Sequence, residues 1–115
     1  MTDIDPQRAA LLLVDFQPAI VGLLDEPDAL LERAGEAIRL MRDAGGHVGY
    51  VRVAFEDADF DAMPETSGMA ARVSSRREAM RADAPGTQVH DAVAPEDGDI
   101  IVRKVRVGAF STTDL

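Results

Sequence analysis

The sequence has no cysteine and no tryptophan. Without cysteine there is no disulfide framework, no thiolate metal site and no sulfur nucleophile within these 115 residues. Positive charge is also sparse, with 12 basic residues against 21 acidic ones and a net charge of −9. Nucleic acid requires a basic face and an anionic membrane surface a polybasic segment, so the charge argues against both partners. No apolar run approaches the roughly 20 residues that cross a bilayer. The opening Met1-Thr2-Asp3-Ile4-Asp5 is acidic with no long apolar segment behind it, which speaks against a secretion signal and for a cytoplasmic protein. Lysine is the scarcest charge: of the 12 basic residues all but Lys104 are arginine. An ammonium is a compact charge, not interchangeable with a guanidinium, so the position of Lys104 carries weight.

What is present is 46% hydrophobic residues, enough for one packed domain over residues 1–115. The unbroken stretch Ala9 to Val14 stops on Asp15. Such a run reads as a strand buried on both faces, in the middle of a parallel sheet. Asp15 then closes that strand at its carboxyl end, where ligands bind in open α/β folds. Met1 to Arg8 is a polar lead-in, and Pro18 bars further strand, leaving a helical turn or covering loop over Ala19 to Leu24. Asp25-Glu26-Pro27-Asp28 signals a helix start. Leu30, Leu31, Ala34, Ala37, Ile38 and Met41 follow at helical spacing, with Glu32, Arg33, Glu36, Arg39 and Arg42 opposite, and Gly45-Gly46 ends the helix. His47 to Phe55 is rich in β-branched and aromatic residues and predicts a second strand, completing a right-handed βαβ unit.

Glu56 to Gly68 reads as an acidic surface loop. Met69 to Ala84 reverses the charge and predicts one or two short helices started by Thr66 or Ser67. The two charge runs are expected to be solvated surface with weak mutual pairing; a lid over the strand ends is the functional alternative. Pro85-Gly86 marks a turn, Val89 to Val93 a strand end or helical turn, and Pro95 to Asp99 another turn. Ile100 to Val107 predicts a third strand, buried at its start and charged toward its end, which puts Lys104 near a carboxyl end too. Ser111 reads as the N-cap of a helix opening over 111–115. Three strands and one good helix leave a sheet face and an edge open, so the expectation is the N-terminal part of a larger α/β domain.

An acid and a lysine at two strand ends suit a site that deprotonates a nucleophile and steadies an anion. The structural alternative is an ordinary Asp–Lys salt bridge at a sheet end.

Leu11-Leu12-Leu13-Val14-Asp15-Phe16-Gln17 resembles the first motif of the isochorismatase-like hydrolases, the cysteine-hydrolase group that includes nicotinamidases and N-carbamoylsarcosine amidohydrolase. Gly98 to Lys104, with Ala109-Phe110 and Thr113-Asp114-Leu115, resembles the second. The resemblance spans nearly the whole chain and implies a three-layer, Rossmann-like parallel sheet, here its first three strands. It implies an Asp–Lys–Cys triad: Asp15 as general base, Lys104 as the orienting and polarising residue, Gln17 and Phe110 shaping the substrate pocket. The cysteine would lie beyond Leu115. It further implies a small amide, imide or vinyl-ether substrate, no cofactor, and a homo-oligomer. Val107-Gly108 stands where the family often has an aromatic residue and a serine. The nicotinamidase branch holds a metal through Asp-x-His after its second strand; Glu56-Asp57-Ala58-Asp59 has no histidine there. Neither His47 nor His90 has ligand spacing, so no metal is expected. Two other readings are a catalytically silent binding or assembly module of the same family, and an unrelated flavodoxin-like domain. The last would be favoured by an edge position for the Leu11 strand.

Overall fold

The computed structural model describes residues 3–115, so the first two residues of the polar lead-in lie outside it. Its frame is a parallel sheet of β1 (Ala10–Val14), β2 (His47–Val53) and β3 (Ile100–Lys104), in the order β1-β2-β3. Leu13 pairs with Tyr50 and Tyr50 with Ile101; three residues further along, Val53 pairs with Lys104. This is the α/β class that the sequence implies.

Helix α1 (Pro18–Val21) follows β1, and α2 (Pro27–Asp43) crosses back over one face of the sheet. Pro27 sits in its first turn, where a missing N–H costs nothing, and Gly45 at φ +80° turns the chain out of it. Leu31 and Ile38, two turns apart, press on Leu13, Val48 and Tyr50, with Val21 and Val93 closing the sides. Each such side chain contributes roughly 1.5–3 kcal/mol by leaving water.

Three expectations are corrected here. β1 is not buried on both faces and is not the middle strand; β2 is. Leu12 and Val14 point away from α2 and remain 39% and 44% exposed. An apolar run shows that both faces of a strand carry apolar side chains, but not what covers them. β3 ends at Lys104 rather than Val107, and its burial is inverted: Ile100 and Ile101 are exposed while Val102 and Lys104 are buried. Residues 111–113 are bends rather than the start of a helix.

The 56–84 excursion is more ordered than a loop followed by helices. Helix α3 (Asp57–Asp61) forms where the Asp59 carboxylate accepts from the Glu56 N–H at 2.8 Å. Helix α4 (Gly68–Ser74) is capped by Ser67, whose Oγ accepts from the Ala70 N–H. The acidic and basic runs fold onto one another: Arg81 pairs with Asp57 at 2.7 Å, and Arg77 lies 4.4 Å over the Phe60 ring. These exposed pairs contribute little each. The firmer anchor is Phe55, fully buried, whose N–H donates to Met80 O and whose carbonyl accepts from the Ala82 N–H. Arg42, on the charged side of α2, donates to both carboxylate oxygens of Asp99, at 2.8 and 2.7 Å.

Candidate active site

β1 and β3 are separated by β2, so their ends stand about 10 Å apart. Only a long side chain bridges that gap. Lys104, the last residue of β3, does so across its β2 partner Val53. It is 6% exposed, and its Nζ donates to Val107 O at 3.1 Å and lies 3.2 Å from Asp15 Oδ1. The two residues singled out in the sequence therefore meet at one rim of the sheet.

Asp15 is held unusually. Its φ is +65°, the one non-glycine residue in the left-handed region among the described residues. Aspartate tolerates that region better than most residues, yet it is disfavoured for any L side chain. The Asp15 N–H still donates to Val51 O, continuing the ladder, and its carbonyl accepts from the Gln17 N–H. The chain thus leaves the sheet in a single step, with the carboxylate aimed along the rim. Oδ1 is buried and has no hydrogen-bond partner among the described residues; Lys104 meets it as an ion pair without the alignment of a hydrogen bond. A carboxylate oxygen with unspent acceptor capacity beside an ammonium can take up a proton, and the ammonium can steady a developing anion.

Gln17 is 2% exposed. Its Nε2 donates to Val53 O at 2.8 Å and to Thr87 O at 3.0 Å, while its Oε1 accepts from the Val53 N–H at 2.8 Å. Its polar atoms are thus occupied by backbone. Phe110 is 74% exposed and lines neither the cavity beside Asp15 nor the one that Val107 lines. One of these, about 150 Å³, sets Val14, Phe16, Ile20, Leu24 and Leu30 beside Asp15. The other, about 170 Å³, lies between Met63, Ser67 and Met69 of the excursion and Arg106 and Val107 after β3. Neither that second cavity nor a larger one between α3 and α4 is lined by Asp15 or Lys104.

Sequence reasoning missed Thr87 and Arg52. Thr87 is buried; its carbonyl accepts from Gln17 and from Arg52 Nε at 2.8 Å, and its hydroxyl donates to Arg81 O at 2.7 Å. Nothing around Thr87 flags this, whereas an arginine inside the apolar His47–Val53 strand was a signal that a buried acceptor waits for it. At the neighbouring rim Arg103 donates to Asp59 at 2.7 Å and to Ala54 O, tying α3 to β3. Burial pushes the Asp59 carboxyl up, but the Glu56 N–H and Arg103 outweigh it and hold the pKa below its ordinary value. Among the described residues no three His, Asp or Glu side chains cluster as a metal site, and no helix is long and apolar enough to cross a membrane. His90 Nδ1 accepts from the Ala92 N–H.

Comparison with known proteins now adds a second line. The profile of the isochorismatase domain matches residues 9–115. A cysteine hydrolase from Pseudomonas syringae pv. phaseolicola 1448A superposes with a TM-score of 0.74 at 24% identity, covering 96% of this chain and 53% of its own. An isochorismatase family protein from Burkholderia thailandensis gives 0.72 at 20% identity, over 97% of this chain and 57% of its own. N-carbamoylsarcosine amidase from Thermoplasma acidophilum gives 0.68 at 28% identity, over 92% and 57%. The chain thus spans about half the length of the solved structures it matches. No curated protein matches it in sequence. The edge position of β1, which alone would favour a flavodoxin-like domain, is outweighed by the profile match over nearly all of the chain.

Proposed function

Because this chain belongs to the isochorismatase family of hydrolases, we propose that its Asp15 and Lys104 are two of the three working groups of a cysteine-hydrolase centre. The observation that carries this reading is the buried, hydrogen-bond-free Asp15 Oδ1 lying 3.2 Å from Lys104 Nζ at the carboxyl ends of parallel strands. Asp15 accepts the proton of a thiol, and the thiolate attacks the electrophilic carbon of a small amide, imide or vinyl-ether substrate. Asp15 returns the proton to the departing group, and water then cleaves the bond to sulfur and frees the thiol. Lys104 offsets negative charge that develops as the bond breaks. The thiol is not among these 115 residues; in this reading it is supplied from sequence beyond Leu115. The cavity beside Asp15 receives the substrate, and no cofactor or metal takes part. The protein works in the cytoplasm as a homo-oligomer.

The test is hydrolysis of a panel of small amides by the full reading frame. Asp15→Asn and Lys104→Met should each lower kcat by about 10²–10⁴-fold, and a thiol-alkylating reagent should abolish turnover. Hydrolysis that survives either treatment would overturn the proposal. The second reading is a catalytically silent binding or assembly module of the same family. Retention of a ligand without turnover by the full reading frame would select it.

A further inference from the structure

We propose that Gln17 is the positioning residue of this centre, holding Asp15 in the left-handed turn from which it faces Lys104. This rests on the reading of Asp15 as the proton acceptor, and it gives Gln17 a different task from lining the pocket. Asp15 occupies a backbone region that L residues avoid, so the surroundings must impose it. One restraint precedes it, the hydrogen bond from its N–H to Val51 O. Others follow it: Phe16 packs on the core and its carbonyl accepts from the His90 N–H, and Gln17 is the first residue after Asp15 whose side chain is held by hydrogen bonds. It is bound at three points: both backbone groups of Val53, the strand residue that pairs with Lys104, and the carbonyl of Thr87. Its own N–H closes the turn on Asp15 O, and its carbonyl starts α1 by accepting from Ile20 and Val21. The carboxylate, the ammonium and Gln17 therefore share one reference point, the end of β2. A shorter or apolar side chain at position 17 would leave the Val53 groups without these partners and Thr87 O with Arg52 alone, and would free the turn to relax toward negative φ.

The experiment is NMR of the protein carrying Gln17→Met, with Val93→Ala as a control that loosens the core while leaving the Gln17 hydrogen bonds in place. A strong amide–Hα Overhauser effect within Asp15 marks positive φ, and cross-peaks between Lys104 Hε and Asp15 Hβ mark the pair. Gln17→Met should lose both sets of signals while Val93→Ala keeps both. Retention of both in Gln17→Met, or equal loss in Val93→Ala, would show that Gln17 only adds stability and would overturn the proposal. If Gln17→Met does not fold, Gln17→Glu decides. It keeps the shape and the oxygen facing the Val53 N–H but, as a carboxylate, cannot donate to the two carbonyls. Weakened Asp15 and Lys104 signals support the proposal, and unchanged ones defeat it. These readouts concern geometry alone, so a failure to find hydrolysis would leave them standing.

Discussion

Lys104 is nearly sealed from water, whereas the Asp15 side chain is 35% exposed. The two partners of the ion pair therefore differ in what their loss leaves behind. Asp15→Asn strands a buried ammonium, with Val107 O as its remaining acceptor. Lys104→Met strands a carboxylate that water can reach on one side, and fills the lysine's place with apolar atoms. Asn also accepts the left-handed conformation, so the substitution isolates charge from backbone strain. Asp15→Asn should cost about 2–3 kcal/mol and Lys104→Met about 1 kcal/mol or less, measured by urea denaturation. The opposite ranking would mean that the ammonium is hydrated in solution. At this scale the sequence was informative where chemistry is rare: one lysine, and an acid ending an apolar run. It offered Gln17 only as a pocket residue and was silent on Thr87, because a buried amide or hydroxyl reveals its partners only in the fold, where those of Gln17 lie 36 and 70 residues away.

Among the elements, α2 was legible from its spacing and caps, and β2 from its β-branched content. For the charged side of α2, periodicity assigns a face and not a partner. Arg42 belongs to a joint between the end of α2 and the turn before β3. Its hydrogen bonds hold the Asp99 carboxyl below its ordinary pKa, against the opposing effect of burial, with the Glu96 N–H helping. A carboxyl depressed in this way contributes stability that is complete above the unfolded value near 3.9 and is lost as the pH falls through the folded one. Arg42→Met should therefore cost about 1–3 kcal/mol at neutral pH. Its urea midpoint should also fall less steeply than that of the parent protein as pH drops below about 4. Parallel curves across that range would assign the acid sensitivity to other carboxylates. The excursion was legible as charge runs, but α3 was not, since a five-residue helix held by its own cap has too few turns to show a period.

Taken whole, the molecule is a three-stranded sheet with a helix on one face and apolar side chains on the other. Leu12, Val14 and Ile100 are exposed there, and β1 pairs on one side only. Gly49 belongs to the same surface: a Cβ on it would come within 2.9 Å of Leu12 Cδ2, so its absence lets Leu12 lie across β2. An unpaired edge flanked by apolar residues promotes association. Sedimentation velocity of these 115 residues alone should show concentration-dependent oligomers, and Leu12→Lys with Val14→Lys should shift them toward monomer. A monodisperse monomer in the unsubstituted protein would contradict this. The fold class and the meeting of Asp15 with Lys104 were both readable in advance, since strand ends in a parallel sheet share one rim. The exposure of β1 was not, because what lies over a strand is a property of the assembly and not of the strand.

The Arg42–Asp99 clamp has a consequence at the far end of the strand it precedes. Asp99 is the residue before β3, and Lys104 is its last. Side chains alternate sides along a strand, so sliding β3 by one place would swing Lys104 to the helix side and bring Arg103 or Val105 over Asp15 instead. A guanidinium at one end of a five-residue strand thus sets the phase in which an ammonium arrives at the other, and deleting a single residue from the Pro95–Gly98 turn would disarm the rim without touching it.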